Sequence, residues 1–304
     1  MPLYARDEGY IPKLQRILLA LHHLIHPFDY NIEMKLSTRY TILSALALLL
    51  MVSCKPMPES ERLIPNEIET TNGRTVLVED YSGVACINCP TAASRITKAA
   101  KAHGDKVVIV ALHGSRTDIG TQPEEDPKGL YSPEAATYLE RLQAGGSLPI
   151  ATFNRRPLTS NGDKPFSDSY PQWAAEMQSC LKLPQLYKID LQVSESDRKV
   201  TTRCTATALT PANQGATTEL YLQLWLIEDG IVAPQHLMGR TEADANYQHN
   251  HIFRQTLNGI DGEAYQLGKS YDKTSTIERE VIVPDHCSVV AILYDHKTGE
   301  VYEV

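Results

Sequence analysis

The chain lacks several features that mark common protein classes. Its 304 residues carry 29 Lys and Arg against 37 Asp and Glu, a net charge of −8, and the basic residues form no run. That leaves no electrostatic footprint for nucleic acid, so no such partner is expected. There is no internal repeat and no low-complexity tract. The apolar run from Ile42 to Val52 is too short to span a bilayer comfortably. Cysteine is scarce: of six, only Cys86 and Cys89 stand close together. A zinc site of the usual kind wants a second such pair or suitable histidines. Cys180, Cys204 and Cys287 are isolated, so zinc is disfavoured and neither a metal nor a cofactor is expected. With 42% hydrophobic residues, a sizeable core and roughly two domains fit the length.

What is present begins with an export signal. Lys35 and Arg39 precede the apolar run, which ends in Met51-Val52-Ser53-Cys54. This resembles a bacterial lipobox, with Met51 in place of the usual Leu. The resemblance implies a signal peptide over 34–53, lipidation of Cys54, and a membrane partner reached through the lipid. Met34 is then the natural start, and residues 1–33 fall outside the fold. The proline-containing polar stretch 54–68 reads as a tether. An ordinary membrane anchor or an uncleaved signal is the alternative. Outside the cytoplasm disulfides persist. Five cysteines remain, an odd number, so at least one is free or bonded to another molecule. If a structural disulfide forms away from the CxxC pair, Cys204 to Cys287 is the expected pairing, with Cys180 free.

The pair sits in Gly83-Val84-Ala85-Cys86-Ile87-Asn88-Cys89-Pro90. Thr75 to Val78 is a β-branched, apolar run and reads as a buried strand. Thr91 to Lys101 is alanine-rich and reads as a helix that Gly104 ends. Lys106 to Leu112 reads as a second buried strand. Strand, CxxC, helix, strand is a βαβ unit with parallel strands. Cys86 at a helix start would be favoured as thiolate by the macrodipole, and Cys89 one turn on would resolve a mixed disulfide. A structural disulfide remains open at this point.

Pro149 opens a second signal, Gly145-Gly146-Ser147-Leu148-Pro149-Ile150-Ala151-Thr152-Phe153. With the CxxC unit it resembles the thioredoxin superfamily. That resemblance implies a cis proline facing the cysteines and contacting the partner's backbone, with Cys86, Cys89 and Pro149 as site residues. Asp80, six residues before Cys86, matches the buried acid that shuttles protons for the second cysteine. Glu79 is adjacent, and strand phase decides which of the two points inward. His113 ends the second strand, on the edge where α/β sheets place their sites. Ala85 stands where thioredoxins carry tryptophan. The pattern Tyr81-Ser82-Gly83-x-x-Cys86-x-Asn88-Cys89-Pro90, with Ile227–Val232 and Tyr247–Arg254 further on, is similar instead to the outer-membrane-protein-28-related lipoproteins of Gram-negative bacteria.

Residues 117–129 read as a surface loop. Ser132-Pro133-Glu134 caps a helix to about Gln143, and Trp173, Met177 and Leu181 mark another. From Pro184 the period becomes two. Strands are expected near 187–193, 200–209, 219–228, 276–283, 288–294 and 301–304, with Trp225 anchoring their core. His249 and His251, two apart, would share one face of a strand. The expected fold class is therefore an α/β thioredoxin-like domain over 69–184, followed by an all-β immunoglobulin-like sandwich over 185–304. The expected function is thiol–disulfide exchange with cysteines of other exported proteins or a redox partner, from a lipoprotein in the outer membrane of the cell envelope. The alternative is a surface binding or adhesion lipoprotein in which the CxxC is a structural disulfide.

Overall fold

Strand β1 (Val76–Tyr81) is buried along its whole length, as a central strand covered on both faces must be. It belongs to a computed structural model that describes residues 73–209 and 219–304, all within a unit spanning Ile68–Val304. The expected signal, Cys54 and the tether lie outside the described residues.

Helix α1 (Cys89–Ala100) follows, with proline in its first turn and Cys89, Ala92, Ile96 and Ala100 buried along one stripe. Strand β2 (Val107–Leu112) pairs parallel with β1, Val76 opposite Val107 and Tyr81 opposite Leu112. The expected βαβ unit is present. Helix α2 (Pro133–Leu142) starts where expected, with the Ser132 hydroxyl accepting the Ala135 N–H. Strand β3 (Ile150–Phe153) runs antiparallel on the other side of β1, Ile150 opposite Tyr81, directly after a cis Leu148–Pro149 peptide bond. Helix α3 (Trp173–Leu181) buries Trp173, Met177 and Cys180. It packs with α1 over Val76, Val78, Ala151 and Phe153.

Strands β4 (Tyr187–Ser196) and β5 (Lys199–Ala208) form a hairpin turned by Asp197 and Arg198, both at positive φ. Short strands β7 (Ile231–Val232) and β8 (Gln248–His249) pair with each other. The remaining strands are β6 (Leu220–Glu228), β9 (Ile252–Thr256), β10 (Glu263–Ala264), β11 (Ser270–Thr276), β12 (Cys287–Asp295) and β13 (Val301–Glu303). The main sheet runs β13-β12-β6-β9-β2-β1-β3, with β10 on β6, and a separate sheet runs β11-β5-β4.

This order corrects the expected sheet break at 184/185. Strands β6, β9, β12 and β13 continue the sheet of β1–β3, through parallel pairing of Ile252 with Ala111. The reason lies in β6, whose nine residues are almost all buried. Trp225 and Ile227 enter one core with Tyr81, Leu112 and Phe253. Leu222, Leu224 and Leu226 enter another with Val200, Cys204 and Ala206. A strand apolar on both faces sits inside a layered structure, not on the outside of a separate sandwich. Trp225 thus anchors the core shared with the first half, against Tyr138 at 5.1 Å and Phe253 at 5.1 Å. The strand expected at 276–283 falls instead at 270–276. The Arg198 guanidinium holds the next residues as a loop by donating to the carbonyls of Ile277, Arg279 and Ile282.

Candidate functional site at the Cys86–Cys89 disulfide

The chain leaves β1 at Ser82 and turns through residues 83–88 before α1 begins at Cys89. Cys86 was expected at the helix start, but lies three residues ahead of it. Its sulfur still meets the helix terminus, because the Cys89 N–H donates to Cys86 Sγ and to the Cys86 carbonyl, both at 3.2 Å. The two sulfurs are joined in a disulfide. Cys86 is 3% exposed and Cys89 1%, while Ile87 between them is 46% exposed. On reduction, a thiolate at Cys86 would keep that amide donor and the positive end of the helix dipole.

Two distant segments hold the turn. Gly120 accepts the Ala85 N–H at 3.2 Å, and the Thr121 hydroxyl accepts the Val84 N–H at 3.2 Å. Gly83 permits this approach: a Cβ there would overlap the Ile119 carbonyl oxygen and lie 2.7 Å from Gly120 Cα. The stretch 117–129, expected as a surface loop, therefore includes a buried part, with Thr121 at 1% exposure. From the other side, Gln235 Nε2 donates to the carbonyls of Gly83 and Cys86, each at 3.2 Å, and His236 N–H donates to Val84 at 2.8 Å.

Behind the disulfide lies a cavity of about 440 Å³ whose lining includes Asp80, Cys89, His113, Gln235, Tyr247 and His249. Strand alternation settles the choice between the two acids of β1. Glu79 points to the opposite side, where Arg155 donates to it at 2.8 Å and 3.0 Å and Thr152 Oγ1 also bonds it. Asp80 faces the cavity. Its Oδ1 has no hydrogen-bond partner, and burial raises its pKa to about 7.

His113 bonds Thr121 Oγ1 through Nδ1 at 2.8 Å. Burial, then the nearby His249 and Arg254, push its pKa down to about 3, so the ring is neutral at physiological pH. His249 lies edge-on at 5.6 Å between ring centroids. Burial lowers its pKa as well, and its Nε2 has no partner. Tyr247 stacks edge-on to His249 at 4.8 Å. Its phenol is raised by burial and then by the charge of Asp80.

Cys89, Asp80 and His113 are thus brought together, with Cys86 joined through the disulfide. Pro149 is buried at the head of β3, next to the end of β1 by register, and does not line the cavity. The expectation that His249 and His251 share one face fails. His251 takes a positive φ of 57°, which breaks the strand, and its ring pairs with Asp229 at 2.9 Å. Gln235, Thr121 and Tyr247 were not expected at the site, because no spacing connects them to the cysteines.

The expected Cys204–Cys287 disulfide is absent; Cys180, Cys204 and Cys287 are all free thiols. Cys204 is fully buried in β5 between Leu191 and Tyr271. Cys287 opens β12 opposite Glu228, and its thiol donates to the Val283 carbonyl at 3.3 Å. Burial raises all three, to about 11 at Cys180 and Cys204 and about 12 at Cys287. That suits structural thiols, not reactive ones.

Fold and site together define a mixed α/β protein, mostly sheet, with a CxxC disulfide between a central strand and a helix and a buried acid behind it. The chain belongs to the family described as outer membrane protein Omp28, whose pattern matches residues 137–304. Membership supports a location at the outer membrane or cell envelope. The CxxC turn lies ahead of the matched stretch. HBP35 of Porphyromonas gingivalis has a similar structure, with a TM-score of 0.58 at 14% identity, covering 76% of this chain and 74% of that one. A structural-genomics protein of Agrobacterium tumefaciens has a TM-score of 0.45 at 12% identity, over 76% of this chain and 92% of its own. A search of curated proteins finds no match.

Proposed function

We propose that this protein is a cell-envelope lipoprotein that exchanges disulfides with cysteines of other exported proteins through Cys86 and Cys89. One observation carries the reading: a buried carboxyl, Asp80, whose Oδ1 has no hydrogen-bond partner and which lines the same cavity as Cys89. A buried acid without a partner is costly, and its raised pKa suits it to trade a proton with a thiol near neutrality. The order β2-β1-β3, with β3 antiparallel and headed by Pro149, supports the resemblance to the thioredoxin superfamily. In this reading the Cys86 thiolate attacks a partner disulfide, forming a mixed disulfide and releasing one partner thiolate. Cys89 gives its proton to Asp80 and attacks Cys86 Sγ. The Cys86–Cys89 bond forms, the bond to the partner breaks, and the partner leaves reduced. The reverse sequence oxidises a partner dithiol. Pro149 positions the partner's backbone.

The rival reading is a binding lipoprotein with a structural CxxC bond. Its support is the 3% exposure of Cys86 and the backbone clamp of Gln235 and Gly120. Cys89→Ser decides between them. Exchange predicts mixed disulfides between Cys86 and exported proteins, because the resolving thiol is gone. A Cys89→Ser protein that traps nothing, together with a wild-type disulfide that glutathione buffers leave intact, establishes the binding reading.

A further inference from the structure

The cavity joins two buried polar atoms that the protein leaves without partners, Oδ1 of Asp80 and Nε2 of His249. Asp80 is 2% exposed and His249 5%. They come from opposite halves of the chain, Asp80 from β1 and His249 from β8. Tyr247 links them: its ring touches His249, and its phenol feels the charge of Asp80. The cavity has room for several water molecules and polar groups to hold them.

We propose that His249 is a positioning residue for exchange, relaying protons through the cavity between Asp80 and solvent. This rests on the exchange reading above. Each turnover in the reducing direction leaves Asp80 holding the proton that Cys89 gave up. Asp80 must lose it before the next turnover, and its side chain, with Oδ1 partnerless, lines this cavity. His249 Nε2 takes the proton through water and passes it outward, ending neutral. In the oxidising direction the proton travels inward to the departing Cys89 thiolate. No electrons move in the relay.

His113 is the competing candidate and is less suited. Its Nδ1 is occupied by Thr121, and its charged form is disfavoured by full burial and by Arg254 and His249. The carbonyls of Ala233 and Pro234 face the His249 ring and favour its charged form. Lys98 of α1 and Lys101, just past its end, contribute to the lining, and His251 and Tyr247 complete its titratable groups. Lys98 lies on α1 and Lys101 at its C-terminal end, not on β1.

The experiment follows full-length protein through repeated turnover, with excess glutathione disulfide as oxidant and excess dithiothreitol as reductant, reading the steady-state rate above the uncatalysed background alongside the first-turnover decay of the mixed disulfide by rapid acid quench. His249→Gln keeps a polar side chain of similar reach but cannot carry a proton. His249→Phe keeps the ring. Both should fold, keep the wild-type reduction potential and the wild-type first-turnover decay, and slow steady-state turnover at neutral pH by roughly tenfold or more. Added imidazole should restore the rate in proportion to its concentration. Wild-type rates in both variants overturn the relay while leaving the exchange reading intact. So does a slow rate that imidazole does not restore, which marks a structural role. Wild-type protein that forms no mixed disulfide at all overturns both readings.

Discussion

Replacing Asp80 by Asn isolates the energetic signature of the buried acid. The group's pKa rises from 3.8 to about 7 on folding, through burial. Between those values the folded state binds one proton that the unfolded state has released. Unfolding stability therefore falls as pH rises, by about 1.4 kcal/mol per pH unit. Across the whole window this amounts to about 4 kcal/mol lost by pH 8.5, relative to pH 4. Asn cannot ionise, so its cost is only that of an imperfectly paired buried amide, about 1–3 kcal/mol. Asp80→Asn should thus destabilise the oxidised protein by about 1–3 kcal/mol near pH 4 and stabilise it by about 1–3 kcal/mol at pH 8.5, a swing of about 4 kcal/mol between the two. His113 imposes the opposite slope. Its folded pKa is depressed to about 3, so its contribution is present above about 6.5 and lost as pH falls through the folded value. That slope is common to both proteins and cancels in their difference. Urea unfolding of wild type and variant at the two pH values reads the result. A difference between them that stays constant from pH 4 to 8.5 refutes Asp80 as the titrating group.

Two further predictions concern other levels of the structure. Gly83→Ala should destabilise by about 1–3 kcal/mol in thermal or urea unfolding, because the new Cβ overlaps the backbone of Ile119 and Gly120; an unchanged midpoint would show that the 115–121 segment is free to move away. Cys54→Ser should abolish labelling by fatty acid and release the protein from the membrane fraction, and absence of label on the wild-type protein would remove the lipobox reading.

The first half was legible because its signals are local. The apolar run of β1, the turn at Ser82-Gly83, the alanine-rich α1 and the Ser132 cap each announce one element within a few residues. The places of Asp80 and His113 were legible for the same reason, Asp80 lying on β1 just before the CxxC turn and His113 directly after the end of β2. Most strands of the second half were legible from their alternation, but not their destination. Alternation identifies a buried face without naming what covers it. The strand β6 carried the clue, since LYLQLWLIE is apolar at both phases. Such a run fits the interior of a large sheet better than a two-layer sandwich with one solvated face.

The same long-range pairing explains why the site was only partly foreseen. The contact that matters is short: Ile252 pairs with Ala111, and the Ala111 N–H donates to the His251 carbonyl at 2.8 Å. Ala111 lies two residues before His113, so this pairing sets the end of β2 against the 247–252 segment. It thereby carries Tyr247 and His249 to the cavity behind Cys89. Gln235 arrives by the same route, since β7 and β8 flank the segment that bears it and Ala233 donates to Tyr247 at 3.1 Å. The second half of the chain therefore does more than present a surface. It completes the wall of the cavity and clamps the carbonyl of Cys86. The pairing at Ala111 can be disturbed with Ile252→Pro, because a proline disfavours the left-handed backbone of the preceding His251, whose carbonyl accepts the Ala111 N–H. Its effect should be read at the cysteines, as faster alkylation of Cys86 in reduced protein. Alkylation at the wild-type rate in a folded Ile252→Pro protein would show that the turn is held by the 115–121 segment alone.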